Sequence, residues 1–121
     1  MSHRPILGLT MGDPAGIGPE ICLRASREPS VLAACVPVLF GDGGVLRRLA
    51  KAGFPANVAR VVSLPEFNAS AAPTTPVVVD CAALDADHLE PGKVAAACGK
   101  AAYSYIEQSI RAALAKQIDG V

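Results

Sequence analysis

Twice in the first half of the chain a short apolar run meets a glycine-rich turn and then a segment patterned as a helix. A chain built this way has few folds open to it. The run Pro5-Ile6-Leu7-Gly8-Leu9-Thr10 leads into Met11-Gly12-Asp13-Pro14-Ala15-Gly16-Ile17-Gly18, after which Pro19 and Glu20 suit the first turn of a helix. Proline lacks an N–H that the helix would leave unpaired there anyway, and a carboxylate favours the positive end of the dipole. The spacing predicts that this helix runs to about Arg27 or Glu28. Val36-Pro37-Val38-Leu39-Phe40 repeats the pattern: Gly41-Asp42-Gly43-Gly44 follows, with Asp42 placed to cap a helix that Gly53 and Pro55 close or, at the carboxyl end of the sheet, to contact a cofactor. Further strands are expected at Val58 to Leu64 and at Pro76 to Asp80, with an irregular loop from Asn68 to Thr75 between them.

Strands alternating with helices pair in parallel, because each crossover carries the chain back over a face of the sheet before the next strand begins. The expected fold class is therefore α/β, with three layers around a mostly parallel sheet. A length of 121 residues allows one domain, and a 51% hydrophobic content supplies its core. After a polar interruption from Ala82 to Gly92, the longest helix is expected to begin between Val94 and Gly99 and to reach about Gln117. Its apolar stripe reads Ala102, Ile106, Ile110 and Ala113, with Glu107 and Arg111 as an outward i,i+4 pair. Tyr103 and Tyr105 point to opposite flanks, so at most one joins the core. Ile118-Asp119-Gly120-Val121 starts another strand-like run, and the chain reads as a segment that stops as a strand begins.

Charge and composition remove several functions. Eleven basic and 11 acidic residues cancel without forming a basic stripe, and at 4% aromatic content with no tryptophan there is no stacking platform, so nucleic acid is not an expected partner. Apolar runs such as Val77-Val78-Val79 are far below spanning length, and no cleavable hydrophobic segment opens the chain, so no membrane partner is expected either. Cys22, Cys35, Cys81 and Cys98 contain no C-x-x-C pair and read as buried free thiols of a reducing cytoplasm.

The loop from Thr10 to Ile21 carries most of the chemical interest. Gly16-Ile17-Gly18 begins a dinucleotide fingerprint, but Ile21 occupies the third glycine position and no G-K-[ST] follows. Asp13 and Glu20 already bring negative charge to the helix start, which disfavours a simple anion cradle. Two readings remain open on the residues alone. Gly12, Gly16 and Gly18 can adopt positive φ and leave main-chain amides bare for a ligand, or the same glycines make a tight strand-to-helix turn in which Asp13 caps neighbouring amides.

The residues also carry a resemblance. "LTMGDPAGIGPEI" resembles the opening signature of the 4-hydroxythreonine-4-phosphate dehydrogenase family, and "GIGPE" is similar to the isocitrate and isopropylmalate dehydrogenases. "PVLFGD", "PGKVAAACGKAAYSYIEQSI" and the closing "IDGV" are similar to the same family, in order, so the likeness extends from about Ile6 to Val121 and is weak between Ala56 and Thr75. It implies the N-terminal segment of a longer, two-domain enzyme of pyridoxal phosphate biosynthesis with an isocitrate/isopropylmalate dehydrogenase-like fold. That enzyme would be a cytoplasmic homodimer with its active site in a cleft between domains. It would oxidise and decarboxylate a small phosphorylated hydroxy acid, 4-phosphooxy-L-threonine, to 3-amino-2-oxopropyl phosphate, using NAD and a divalent metal (Zn, Mg or Co). The resemblance implies that Asp13, Gly16, Ile17 and Gly18 line the dinucleotide cleft, with Glu20 orienting the turn.

The family's metal site resembles three histidines from later segments and both subunits. His3 and His88 match none of its positions, so no metal ligand and no catalytic residue is assigned in this chain. Two rivals stand beside this reading. A paralogue would oxidise phosphorylated threonate or erythronate, or a ring dihydrodiol, and a stand-alone, non-catalytic module would bind a nucleotide or a partner subunit. A reading frame continuing past Val121 into a Thr/Pro loop and three histidines would favour the enzyme. Among the remaining residues, the cluster Asp85, Asp87, His88, Glu90 lacks the glycine turn of a calcium loop and the i,i+4 histidines of a zinc protease, and is expected to be a solvated loop. Serine nucleophiles lack a placed histidine.

Overall fold

The computed structural model describes residues 3–53 and 60–121. Among these residues four strands, β1 (Ile6–Thr10), β2 (Val36–Gly41), β3 (Arg60–Ser63) and β4 (Val77–Asp80), form one sheet in the order β1-β2-β4-β3. Every neighbouring pair is parallel, with Ile6 opposite Val36, Val38 opposite Val77 and Arg60 opposite Val77 setting the three registers. All of β2 is buried. Because alternate side chains point to opposite faces, this means that both faces are covered, as in the expected three layers.

Pro37 lies inside this central strand, where a missing N–H is usually excluded. The register explains its tolerance. Val36 donates its N–H to Pro5 O at 2.8 Å on the β1 side, so the nitrogen of the next residue faces the β4 side. Pairing with β4 begins only at Val38, so no ladder bond is lost at Pro37.

The helices are α1 (Gly18–Ala25), α2 (Pro29–Ala34), α3 (Gly43–Lys51), α4 (Leu64–Ala69) and α5 (Ala96–Leu114). Helices α1 and α3 touch each other, α5 lies over β1 and β2, and α4 lies over β3 and β4. Right-handed crossovers account for this: the steps from β1 through β2 to β3 move outward, and the returns through α4 and α5 move back over the other face. On the latter face Phe40 of β2 meets Phe67 of α4 edge to face, with centroids 5.8 Å apart.

Several expectations are corrected. Helix α1 ends at Ala25, and a separate α2 follows, begun by Pro29. The third strand ends one residue earlier than expected, at Ser63, because Leu64 already belongs to α4, while Val58 lies outside the described residues. The Ser63 hydroxyl accepts from the Glu66 amide at 3.2 Å and caps α4, so Asn68 and Ala69 close a helix rather than open a loop. Gly53 does follow α3 with φ +93, the conformation a helix-closing glycine supplies, while Pro55 lies outside the described residues.

The stripe of α5 is rotated from the expected one. Its buried residues are Cys98, Ala101, Tyr105, Ser109 and Ala112, whereas Ile106 and Ile110 are 47% and 48% exposed. The small residues let the helix lie close on β1 and β2, and an isoleucine in their place would hold it off. Tyr105 is buried and Tyr103 exposed, so one of the two joins the core, as expected. The helix stops at Leu114 because Lys116 takes φ +61: Lys116 donates to Ala113 O at 3.1 Å and Gln117 to Ala112 O at 2.9 Å, a Schellman closure. The chain then returns to the sheet beside β1, where Gly8 donates to Gly120 O at 2.8 Å and Asp119 to Ile6 O at 2.7 Å.

Candidate functional site

The residues expected to meet a dinucleotide form one ridge at the carboxyl end of β1. Met11, fully buried, donates its N–H to Phe40 O at 3.2 Å and anchors the loop. Gly12 turns the chain at φ +68, and the Asp13 carboxylate accepts the Ala15 amide at 2.8 Å, while the Gly16 amide donates to Asp13 O at 2.9 Å. Asp13 thus does cap the turn. Asp13, Gly16 and Ile17 are exposed, Ile17 by 71%, and Gly18 is half-buried. Gly92 donates to Ala15 O at 2.7 Å and ties the ridge to the segment before α5. Burial and the facing Asp13 carboxylate push the Cys98 thiol pKa up beneath it.

The three glycines have different reasons to be there. Gly12 alone among them has a positive φ, so the expectation that Gly16 and Gly18 use that freedom is corrected. A Cβ on Gly18 would stand 1.9 Å from Met11 O, so its glycine serves the close approach of α1 to the strand end. A Cβ on Gly16 would meet nothing nearer than Asp13 O at 3.4 Å, an ordinary contact. Neither φ nor internal packing demands glycine at 16, which leaves the bare outward backbone as its distinguishing property. Glu20 does not orient the turn; its carboxylate pairs with Arg24 at 2.9 Å. The N-cap of α1 is Ile17, whose side chain cannot accept a first-turn amide. Exposed backbone, an uncapped helix start and an apolar Ile17 fit the edge of a nucleotide.

A second cluster stands at the carboxyl ends of β2 and β4; the sequence reading singled out Asp42 of it but missed its partners Tyr105 and Asp80. Asp42 occupies the N-cap position of α3, but its side chain does not cap. Only 3% exposed, it accepts the Tyr105 hydroxyl through Oδ2 and the Ala83 amide through Oδ1, the latter at 3.0 Å. A donor 63 residues away outcompetes the local amides because a buried carboxylate gains more from a charge-assisted bond in a dry site. Burial raises the Asp42 pKa most, and Asp80 adds to it, while the bond from Tyr105 lowers it. Burial together with the Asp42 and Asp80 charges pushes the Cys81 thiol to about 12. Burial and the bond to Asp42 also raise the Tyr105 phenol. Arg48 donates to the carbonyls of Ala86 and Leu89 and fastens the 3-10 turn Ala86–His88 to α3. Between these elements lies a cavity of about 310 Å3 lined by Asp42, Arg47, Lys51 and Asp80 among others. The available signal was positional: Asp42 and Asp80 each end a strand at the side of the sheet where α/β proteins bind ligands.

Among the described residues no group of three or more His, Cys, Asp or Glu stands close enough to hold a metal ion, and Asp85 caps the Asp87 amide at 3.0 Å. The four cysteines are free, three of them buried and Cys81 half-buried. No helix among the described residues is long and apolar enough to cross a membrane.

The family profile described as pyridoxal phosphate biosynthetic protein PdxA matches residues 33–121. A curated relative from Symbiobacterium thermophilum, named "Putative D-threonate 4-phosphate dehydrogenase", is 39% identical over the whole chain, which covers 36% of the relative. The crystal structure of a 4-hydroxythreonine-4-phosphate dehydrogenase from Burkholderia phymatum superposes with a TM-score of 0.78 at 28% identity, over 97% of this chain and 35% of that one. A terephthalate 1,2-cis-dihydrodiol dehydrogenase from Burkholderia xenovorans LB400 gives a TM-score of 0.70 at 36% identity, over 96% of this chain and 32% of that one. The chain thus spans about a third of the length of the proteins it matches.

Proposed function

Because the chain belongs to the family of pyridoxal phosphate biosynthetic protein PdxA, we propose that the intact protein is a cytoplasmic, homodimeric, NAD-dependent dehydrogenase. This chain would be the first part of its two domains, and the substrate a small phosphorylated hydroxy acid. Relatives named as dehydrogenases of phosphorylated four-carbon acids support the reaction class. The substrate proposed first is 4-phosphooxy-L-threonine, oxidised and decarboxylated to 3-amino-2-oxopropyl phosphate. D-threonate 4-phosphate is the second reading, favoured by the printed name of the 39% identical relative. The two differ at C2, an ammonium in one and a hydroxyl in the other.

NAD supplies the hydride acceptor. The residues of this chain bind and position it: Asp13 holds the turn, Gly16 and Gly18 present backbone, and Ile17 offers an apolar surface to a ring. The divalent ion belongs to residues outside this chain. The observation that carries the cofactor reading is Gly16, an exposed glycine for which the fold itself has no need.

Gly16→Val in the intact enzyme tests it. The expected result is NAD affinity weakened about tenfold with the melting temperature nearly unchanged. Unchanged NAD affinity in the folded variant would return the loop to a turn without a ligand. NADH production with each of the two substrates then decides between them, the larger kcat/KM identifying the natural one.

A further inference from the structure

We propose that the cleft at the carboxyl ends of β2 and β4 binds a small phosphorylated polyol of the ribose phosphate class, with Arg47 and Lys51 on the phosphate and Asp80 on the hydroxyls. The inference uses neither the glycine loop nor the dehydrogenase reading. The loop after β4 carries the 3-10 turn Ala86–His88 against α3, where Arg48 fastens it, and the crevice lies between that loop, the first turns of α3 and the end of β4. Its volume of about 310 Å3 is at the small end for ligand pockets, suiting a pentose phosphate rather than a dinucleotide.

The charged groups around it divide into two sets. Asp42 and Arg48 serve the fold, through Tyr105 and Ala83 and through the carbonyls of Ala86 and Leu89. Arg47 and Lys51, one turn apart on α3, have no hydrogen bond or ion pair among the described residues. Asp80 spends Oδ1 on the Ala82 amide at 3.0 Å, and its Oδ2 has no donor among the described residues. Oδ2 of Asp80 and Nη1 of Arg47 lie 3.1 and 3.3 Å from the point a Cβ on Gly43 would occupy, yet they do not pair. Gly43 and Gly44 lack positive φ, so the backbone does not demand them, and glycine in a first helical turn costs stability. What they give is room, at 43 for Asp80 and Arg47 and at 44 for Ala86, whose Cβ would be met at 2.8 Å.

A guanidinium and an ammonium on one helix face suit a phosphate, and a carboxylate oxygen suits hydroxyl donors. A bare anion would also face Asp80, Asp85 and Asp87, and a neutral sugar would leave the cations unmatched. A ligand with an anionic end and a hydroxylic end satisfies both sides.

The test is a titration of the chain, followed by amide NMR, with D-ribose 5-phosphate as probe and inorganic phosphate and D-ribose as its two halves. The expected result is saturable shifts at Gly43, Gly44 and Ala82, with affinity at least about tenfold above either half. Arg47→Gln combined with Lys51→Gln should lose about tenfold at an unchanged unfolding curve, since both side chains are exposed. Asp80→Asn should bring the probe and inorganic phosphate closer in affinity. Non-saturating shifts, equal binding of inorganic phosphate, or full affinity in the double variant would overturn the proposal. Loss of NAD binding in Gly16→Val would leave this titration unchanged, so the two readings fail separately.

Discussion

Tyr105→Phe isolates the bond on which the junction of α5 and β2 depends. The substitution keeps the ring, fully buried against the sheet, and removes only the donor that Asp42 accepts. A buried carboxylate that keeps its backbone amides at Ala83 and Leu84 but loses the phenol gives up a charge-assisted bond, at a cost of about 2 kcal/mol. For 121 residues, each kcal/mol corresponds to about 4 °C, so the melting temperature should fall by about 8 °C at neutral pH. The size of the effect depends on pH with a definite sign. The folded-state pKa of Asp42 is raised, chiefly by burial, so its contribution to stability is complete below its ordinary value of 3.8 and is lost as pH rises through the raised value. Removing the phenol raises that value further and extends the loss to higher pH. Below pH 3.8 the carboxyl is protonated in both proteins, and the gap shrinks to the roughly 1 kcal/mol of a neutral hydrogen bond. Thermal and urea unfolding followed by circular dichroism at both pH values measures the difference. A gap that does not change with pH, or a loss below about 2 °C at neutral pH, would refute the reasoning.

Two further outcomes follow from the same geometry. Gly18→Ala should cost about 3 kcal/mol in urea unfolding, because its Cβ collides with Met11 O at 1.9 Å, whereas Gly16→Ala, with its nearest contact at 3.4 Å, should stay within about 0.5 kcal/mol of the parent. Cys81, with its pKa at about 12, should have about one thiol in ten thousand ionised at pH 8 and resist iodoacetamide in the native chain. Peptide mass spectrometry before and after unfolding reads this directly, and rapid native labelling at Cys81 would contradict it.

The strands β1, β2 and β4 were legible because each is an apolar run bounded by turn residues, as were the start of α1, marked by Pro19, and the end of α3, marked by Gly53. The two six-residue helices were not. Their start signals are present, Pro29 after Glu28 and Ser63-Leu64-Pro65-Glu66, but segments so short carry no periodicity to set against a strand or loop. The face of α5 was misassigned because isoleucine outranks alanine and serine when apolar residues are weighed, although closeness to a sheet selects the small ones. At the site, the Thr10 to Ile21 loop could be located from its glycines, but the reason for each glycine appeared only with φ and neighbouring atoms on view. The partnership of Asp42 with Tyr105 spans 63 residues and leaves no local pattern.

The return of the chain to β1 bears on how the molecule assembles. Ile6 donates to Oδ2 of Asp119 at 2.7 Å across a separation of 113 residues, so the first strand gains its outer neighbour only after nearly everything between has been made. Among the described residues no adjacent strands are joined by a hairpin, since every pair is parallel and needs a crossover. A chain with this wiring closes large loops before long-range contacts repay them, which slows folding. Until residues 118–121 arrive, one side of β1 stays open to strands from other molecules. Shortening the chain by those four residues would therefore be felt first as aggregation during refolding, ahead of any change in the melting temperature of the protein that does fold.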